Sequence, residues 1–196
     1  FNLSNNNINL SKIYKNNQNQ NNKKNIESLT NIFESKLENS VKNHLISDRP
    51  VGCFLSGGID SSLVTFFAKK NLDNKIHTFS IGFENSSYDE TESAKKISSF
   101  IGTNHHILKM NNENFNEIVE DISLYLDEPF ADTSLIPTLL LCRESKKYVD
   151  VVLTGDGSDE YFFGYNRYKY FNKINKYIFS LNLTFRKILK YFLTII

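Results

Sequence analysis

The residues best suited to chemistry fall in two short loops. The first, Leu55-Ser56-Gly57-Gly58-Ile59-Asp60-Ser61-Ser62, leaves an apolar run and enters a helical one. Adjacent glycines let the backbone come close to an anion, and the hydroxyls of Ser56, Ser61 and Ser62 join the free N–H groups of a helix start as donors. A phosphate or pyrophosphate suits such a loop. It lacks the Gly-Lys-Ser/Thr of the Walker loop and the third glycine of the dinucleotide fingerprint. It has Asp60 instead, and a carboxylate beside a polyphosphate repels it unless a hard cation such as Mg²⁺ lies between them. The same residues also fit a tight turn with Asp60 as a helix cap.

The second loop, Thr154-Gly155-Asp156-Gly157-Ser158-Asp159-Glu160, carries three acids within five residues. Such a loop can hold a metal or orient a substrate, although Asp, Gly and Ser are also ordinary turn formers. The two loops together say more than either alone.

Both need a scaffold, and the intervening pattern supplies one. Strand-like runs at 51–55, 75–82, 105–110 and 149–154 alternate with helix-like runs at 60–70, 88–101, 114–126 and 135–148. Alternation of this kind predicts a doubly wound α/β fold with a parallel sheet, in which ligands bind beyond the carboxyl ends of the strands. Ahead of it, Ile26, Leu29, Ile32, Phe33, Leu37, Val41 and Leu45 recur at steps of three and four, predicting an amphipathic helix that ends before Arg49-Pro50. Eleven of the first 25 residues are Asn, so 1–25 reads as a linker or irregular loop and 26–196 as the domain. After Gly164 the chain is helical in tendency and rich in aromatic residues.

Composition narrows the function. The 196 residues hold 23 Lys+Arg and 22 Asp+Glu, but residues 1–25 and 165–196 contain 11 of the bases and no acid, leaving a net of −10 across 26–164. A middle that acidic is a poor nucleic-acid groove. Cys53 and Cys142 have no metal or redox spacing and read as buried thiols of a cytoplasmic protein. The apolar stretch 177–196 is interrupted by Arg186, Lys187 and Lys190, which predicts a soluble chain with no membrane span. In the tail from Lys173 to Ile196, Ile178, Leu181, Phe185, Ile188, Leu189 and Phe192 are expected to be covered by further helices, and a membrane-surface helix is the other reading. The chain opens on Phe1 and its only Met is Met110, so it is expected to be part of something longer.

SGGIDSS, FSIGF, YDE, GTNHH and TGDGSDE, in this order over about 100 residues, resemble the synthetase domain of glutamine-dependent asparagine synthetases. SGGxDS alone is shared by the wider N-type ATP pyrophosphatases, which have the adenine-nucleotide α-hydrolase fold, and the second motif narrows the resemblance to the asparagine synthetase and β-lactam synthetase branch. It implies an enzyme that adenylates aspartate with ATP to β-aspartyl-AMP and pyrophosphate, and then lets ammonia displace AMP to give asparagine. A related ligase acting on another carboxylate, and a non-catalytic nucleotide-binding remnant, are the alternatives.

The resemblance also implies roles. Ser56, Gly57, Gly58 and Ser61 match the pyrophosphate loop, Asp60 and Asp159 the carboxylates that hold Mg²⁺, Leu55 and Ile81 the adenosine pocket, and Thr154 and Gly155 a further nucleotide contact. Asp156 matches a position important for forming the acyl-adenylate, where relatives often have Glu. Tyr161-Phe162-Phe163-Gly164 departs from a Leu-Phe-Gly-Gly pattern, replacing one glycine by Phe163. The loop from Asp127 to Ser134 is expected to border the substrate pocket or simply to precede a capped helix. His105 and His106, and Tyr165, Tyr168 and Tyr170, read as structural. Family members carry an N-terminal glutaminase domain with a nucleophilic Cys, and further C-terminal helices that bring a catalytic Lys; neither is matched here.

Overall fold

The computed structural model describes residues 2–4, 7–9, 25–72, 75–83, 89–182 and 184–185. Tyr88 and the tail from Arg186, including Ile188, Leu189 and Phe192, lie outside them, so the tail's surface-helix reading does too. The chain divides into two units, 1–36 and 37–196.

In the first unit, β1 (Asn2–Ser4) and β2 (Asn7–Asn9) pair antiparallel, Leu3 opposite Ile8, where the sequence predicts irregular chain. Helix α1 (Ile26–His44) begins here, and its early apolar positions Ile26 and Leu29 are exposed.

The second unit holds the remaining elements: β3 (Val51–Phe54), α2 (Ile59–Lys70), β4 (His77–Gly82), α3 (Thr91–Ile101), β5 (Asn104–Lys109), α4 (Asn112–Tyr125), α5 (Leu135–Ser145), β6 (Val151–Leu153), α6 (Ser158–Phe162) and α7 (Asn166–Ser180). Strands β3 to β6 form one parallel sheet in the order β5-β4-β3-β6, the doubly wound arrangement that the alternating pattern predicts. The order grows outward from β3 through β4 to β5, then reverses to put β6 on the other side of β3. The crevice at such a reversal is where an open parallel sheet receives a ligand.

The core explains why these runs fold. Val41 of α1, Cys53 of β3, Phe67 and Ala68 of α2, and Ile76 form one buried cluster, with Leu37, Leu45 and Leu153 packed against it. Burying each large apolar side chain is worth about 1.5–3 kcal/mol. Lys70 reaches Glu38 at 2.9 Å at the rim, lowering the carboxyl's proton affinity. Burial pushes the Cys53 thiol up to about 12, which leaves it inert as a nucleophile. Cys142, by contrast, is exposed, which corrects the expectation of two buried thiols.

The histidines are built into the sheet. His77 and His106 share a 2.8 Å hydrogen bond and stack with Phe79 and Tyr148, while His105 meets Thr78 and Ser80 on the opposite face at 3.0 and 3.2 Å. Burial, then the neighbouring imidazole's charge, holds His105 and His106 below the usual histidine range. The unfolded chain therefore binds these protons more readily than the folded one. Their neutral forms are fully accommodated above about pH 6.5, and stability is lost as pH falls from there towards their lowered folded values. The urea midpoint is expected to drop between about pH 7.5 and 5.5, and His105→Gln to flatten part of that slope. An unchanged slope in the variant would remove His105 from the explanation.

Among the described residues, no helix is long and apolar enough to cross a membrane.

Candidate active site

Strands β3 and β6 are hydrogen-bonded neighbours running in the same direction, so the loops at their carboxyl ends emerge side by side. Together they enclose a cleft of about 720 Å³. Local sequence dictates the shape of the first loop. Gly57 takes a left-handed φ of 88°, turning the chain sharply out of β3, and Gly58 is extended as the N-cap of α2. The hydroxyls then brace the turn: Gly58 N–H donates to Ser56 Oγ at 3.2 Å, Ser56 and Ser61 hydroxyls lie 3.0 Å apart, and Ser62 Oγ donates to the Gly58 carbonyl at 2.5 Å. Ser61 is buried, and the first turn of α2 opens beside it with its orphan N–H groups.

In the second loop, Gly155 makes the decisive contact. A Cβ at this position would lie 2.8 Å from the Ser61 nitrogen and 3.1 Å from the Asp60 carbonyl carbon. Only the bare backbone of Gly155 fits against the start of α2, and that fit brings together two loops about 95 residues apart in sequence. The chain continues through Gly157, left-handed at φ 87°, into the short helix α6, which carries Asp159. Burial first, and the charge of Asp159 second, raise the proton affinity of Asp60 above that of an ordinary aspartate. Asp60 therefore feels the charge of Asp159 across the cleft they both line.

Leu55, Ser56, Gly58, Asp60, Ser61, Ile81, Thr154, Gly155, Asp156 and Asp159 all line the cleft. Gly57 does not: its missing side chain faces α3, where a Cβ would lie 2.9 Å from both the Ala94 nitrogen and Ser93 Cβ. Sequence reading reserves this glycine for the approach of an anion, whereas its geometry serves the turn and the packing of α3. Gly57→Val is accordingly expected to destabilise the fold, adding about 1–2 kcal/mol for left-handed backbone and about 1–3 kcal/mol for overpacking. Urea unfolding measures this, and an unshifted midpoint would contradict the contact.

Residues to which sequence reading gave no role in the site also line the cleft: Glu90 at the start of α3, Thr138 and Leu141 on α5, and Phe162 on α6. Glu90 lies within the YDE string, so that motif was the available signal; Thr138 and Leu141 carry no chemical signature of their own. The loop 127–134 contributes none of the lining residues. Asp132 instead accepts from the Ser134 N–H at 2.8 Å and hydroxyl at 2.7 Å, forming the turn into α5. Tyr165 donates to Glu160 at 2.6 Å and Arg167 lies 4.3 Å over its ring, a packing role as expected.

The departure at Phe163 has a visible cost. Phe163 caps α6 with φ 58° and ψ 39°, the left-handed conformation that glycine adopts freely and other residues only with strain. Its ring sits edge-on to Tyr168 at 5.2 Å. Phe163→Gly relieves about 1–2 kcal/mol of backbone strain and forfeits about 0.5–1.5 kcal/mol of ring contact. A net gain of about 0.5 kcal/mol, the difference between the middles of these ranges, is expected in chemical denaturation. A loss of stability would show that the ring contact outweighs the strain.

The chemistry available is that of an acidic cleft. Among the described lining residues Asp60, Glu90, Asp156 and Asp159 are carboxylates, and none is Lys, Arg or His. A polyphosphate enters such a cleft only in the company of cations. Among the described residues no group of three or more His, Cys, Asp or Glu is arranged to hold a metal ion. Two carboxylates nevertheless suit Mg²⁺, which keeps water and phosphate oxygens as its other ligands.

A doubly wound α/β domain, with a glycine-serine loop and an acidic loop meeting at the reversal of its sheet, is thus defined by fold and site. The asparagine synthase family model matches residues 33–192, and the chain belongs to that family. It is 45% identical over 130 residues to a putative glutamine-hydrolyzing asparagine synthetase of Methanocaldococcus jannaschii, covering 66% of this chain and 25% of that protein. It is 37% identical over 143 residues to asparagine synthetase [glutamine-hydrolyzing] 1 of Bacillus subtilis, covering 73% of this chain and 22% of the relative. The chain thus spans about a quarter of the length of these relatives. Among solved structures it is similar to the NH3-dependent NAD synthetase of Campylobacter jejuni, with a TM-score of 0.48 and 20% identity over 69% of this chain and 60% of that one.

Proposed function

We propose that this chain forms the ATP-cleaving part of a glutamine-dependent asparagine synthetase working in the cytoplasm. The observation that carries the proposal is the seating of Gly155 on the Asp60–Ser61 backbone, which makes one cleft of the glycine-serine loop and the acidic pair. Aspartate's β-carboxylate attacks the α-phosphorus of ATP, the bond to pyrophosphate breaks, and β-aspartyl-AMP forms. Ammonia then attacks the acyl carbon, AMP departs with the bonding electrons, and the nitrogen loses a proton to give asparagine.

The chain's own groups divide these tasks. Ser56, Gly58 and Ser61 hold the pyrophosphate through hydroxyls and first-turn N–H groups. Leu55 and Ile81 bound the adenosine, with Thr154 and Gly155 beside it. Asp156 serves formation of the acyl-adenylate, and Gly57 shapes the loop. Asp60 and Asp159 hold Mg²⁺, whose charge offsets the negative charge growing on the departing pyrophosphate. A glutaminase domain in the complete protein supplies the ammonia, as the names of its relatives indicate for them.

The test is pyrophosphate release by the full-length protein given ATP, Mg²⁺ and aspartate. Release that depends on aspartate supports the proposal. Release with a different carboxylic acid alone would assign the chain to another ligase of the branch, and no release with any would mark a binding remnant.

A further inference from the structure

We propose that Gly164 is a positioning residue for Asp159: the absent side chain at 164 leaves the space in which the Asp159 carboxylate rests, and so keeps that carboxylate directed into the cleft it shares with Asp60. A Cβ on Gly164 would lie 1.8 Å from Asp159 Oδ1, 2.9 Å from its Cγ and 3.3 Å from its Cα. Both residues line the cleft. The Gly164 N–H donates to the Asp159 carbonyl at 3.1 Å, tying the turn after α6 back to the residue it positions.

The backbone conformation itself makes no demand for glycine here. The positive-φ glycines are Gly57, Gly102 and Gly157, and the left-handed residue of this turn is Phe163, one position earlier. Any L-residue could therefore adopt the conformation of Gly164. What chiefly excludes a side chain is the carboxylate, at 1.8 Å; the contact with Asp159 Cα, at 3.3 Å, is tight but needs only a small shift. The turn thus places glycine where an acid needs room and tolerates strain at Phe163, where glycine would ease the backbone. Contact with the far end of a side chain, unlike contact with backbone, is relieved by rotation, so a methyl group at 164 turns Asp159 aside and leaves α6 in place.

This inference rests on the proposed function only in giving Asp159 a metal to hold. Three variants test it: Gly164→Ala, Asp159→Ala and the double substitution. In the metal-free chain, a crystal structure or side-chain couplings by NMR read the χ1 of Asp159, and Gly164→Ala is expected to move it to another rotamer. With ATP present, Mn²⁺ binding followed by paramagnetic resonance is expected to weaken by about 10- to 100-fold in Gly164→Ala, the range for groups that orient a ligand. In the Asp159→Ala background the same substitution is expected to leave Mn²⁺ affinity unchanged and to cost less stability than in the parent, because the carboxylate is gone and only the 3.3 Å contact with the Cα of residue 159 remains.

An unmoved Asp159 in Gly164→Ala, or an equal loss in both backgrounds, would overturn the inference. Should Gly164→Ala fail to fold alone, the double variant is expected to fold, and its failure would overturn the inference equally. Absence of Mn²⁺ and ATP binding by the parent chain would count against the proposed function, while χ1 and the stability cycle would still decide the role of Gly164.

Discussion

Asp60→Asn is expected to reduce Mg²⁺-dependent pyrophosphate release by about 10²–10³-fold, the usual consequence of removing one preorganised electrostatic stabiliser. The same change is expected to raise the thermal midpoint of the metal-free chain. Folding brings Asp60 beside Asp159 and removes it partly from water, and both effects favour its protonated form. For an acid whose proton affinity rises on folding, the stability it contributes is present below the unfolded pKa and lost as pH rises through the folded value. At neutral pH the carboxylate therefore opposes folding. Asparagine keeps the shape and removes the charge, so fold and function should respond in opposite directions, as at sites that sacrifice stability for activity. Calorimetry without metal and a pyrophosphate assay with it make the measurement. Unchanged turnover would reject the role of Asp60, and a lowered midpoint would reject the electrostatic account.

Gly155→Ala is expected to damage both stability and binding. Its methyl group meets the Ser61 nitrogen and the Asp60 carbonyl carbon, backbone atoms that no rotamer change can move. Overpacking of this kind costs about 1–3 kcal/mol, and each kcal/mol lowers the thermal midpoint by about 2–4 °C in a chain of this size. Relief comes only by parting the two loops, which separates the acids of the second from the phosphate cradle of the first. ATP affinity, read by calorimetric titration with Mg²⁺, is expected to fall at least about tenfold, equivalent to 1.4 kcal/mol. A variant that bound ATP normally would show that the loops need not touch.

The scaffold was legible because apolar strand-like runs alternate with longer helix-like runs along the chain. Val51–Phe54, His77–Gly82 and Asn104–Lys109 lie within a residue or two of their predicted runs. Both chemical loops were legible from residue type, and nine of their predicted residues line one cleft together with Ile81 of β4. Features of another kind escaped. Helix α6 is five residues long, too short for periodicity, and its Ser-Asp-Glu start reads equally well as a turn. The strands of the Asn-rich stretch have three residues each. Gly57 announces an unusual backbone, but glycine does not say which neighbour occupies the place of its side chain; that neighbour, Ala94, is 37 positions away. Thr138 and Leu141 reach the cleft only because α5 crosses near β4, a matter of tertiary packing.

The second half of the site hangs from the edge of the sheet. β6 has three residues and, among the described strands, bonds only to β3, whereas the cradle follows β3 from the sheet's interior. Detaching β6 would cost one short ladder, the packing of Leu153 against the core cluster and the Gly155 contact, leaving β3, β4 and β5 joined. Amide hydrogens of 151–153 should then exchange with solvent through local openings well below the global unfolding free energy, and faster than those of 51–54. The acidic loop and the cradle would part company at each such opening, making occupancy of the cleft a clamp on the sheet's own margin.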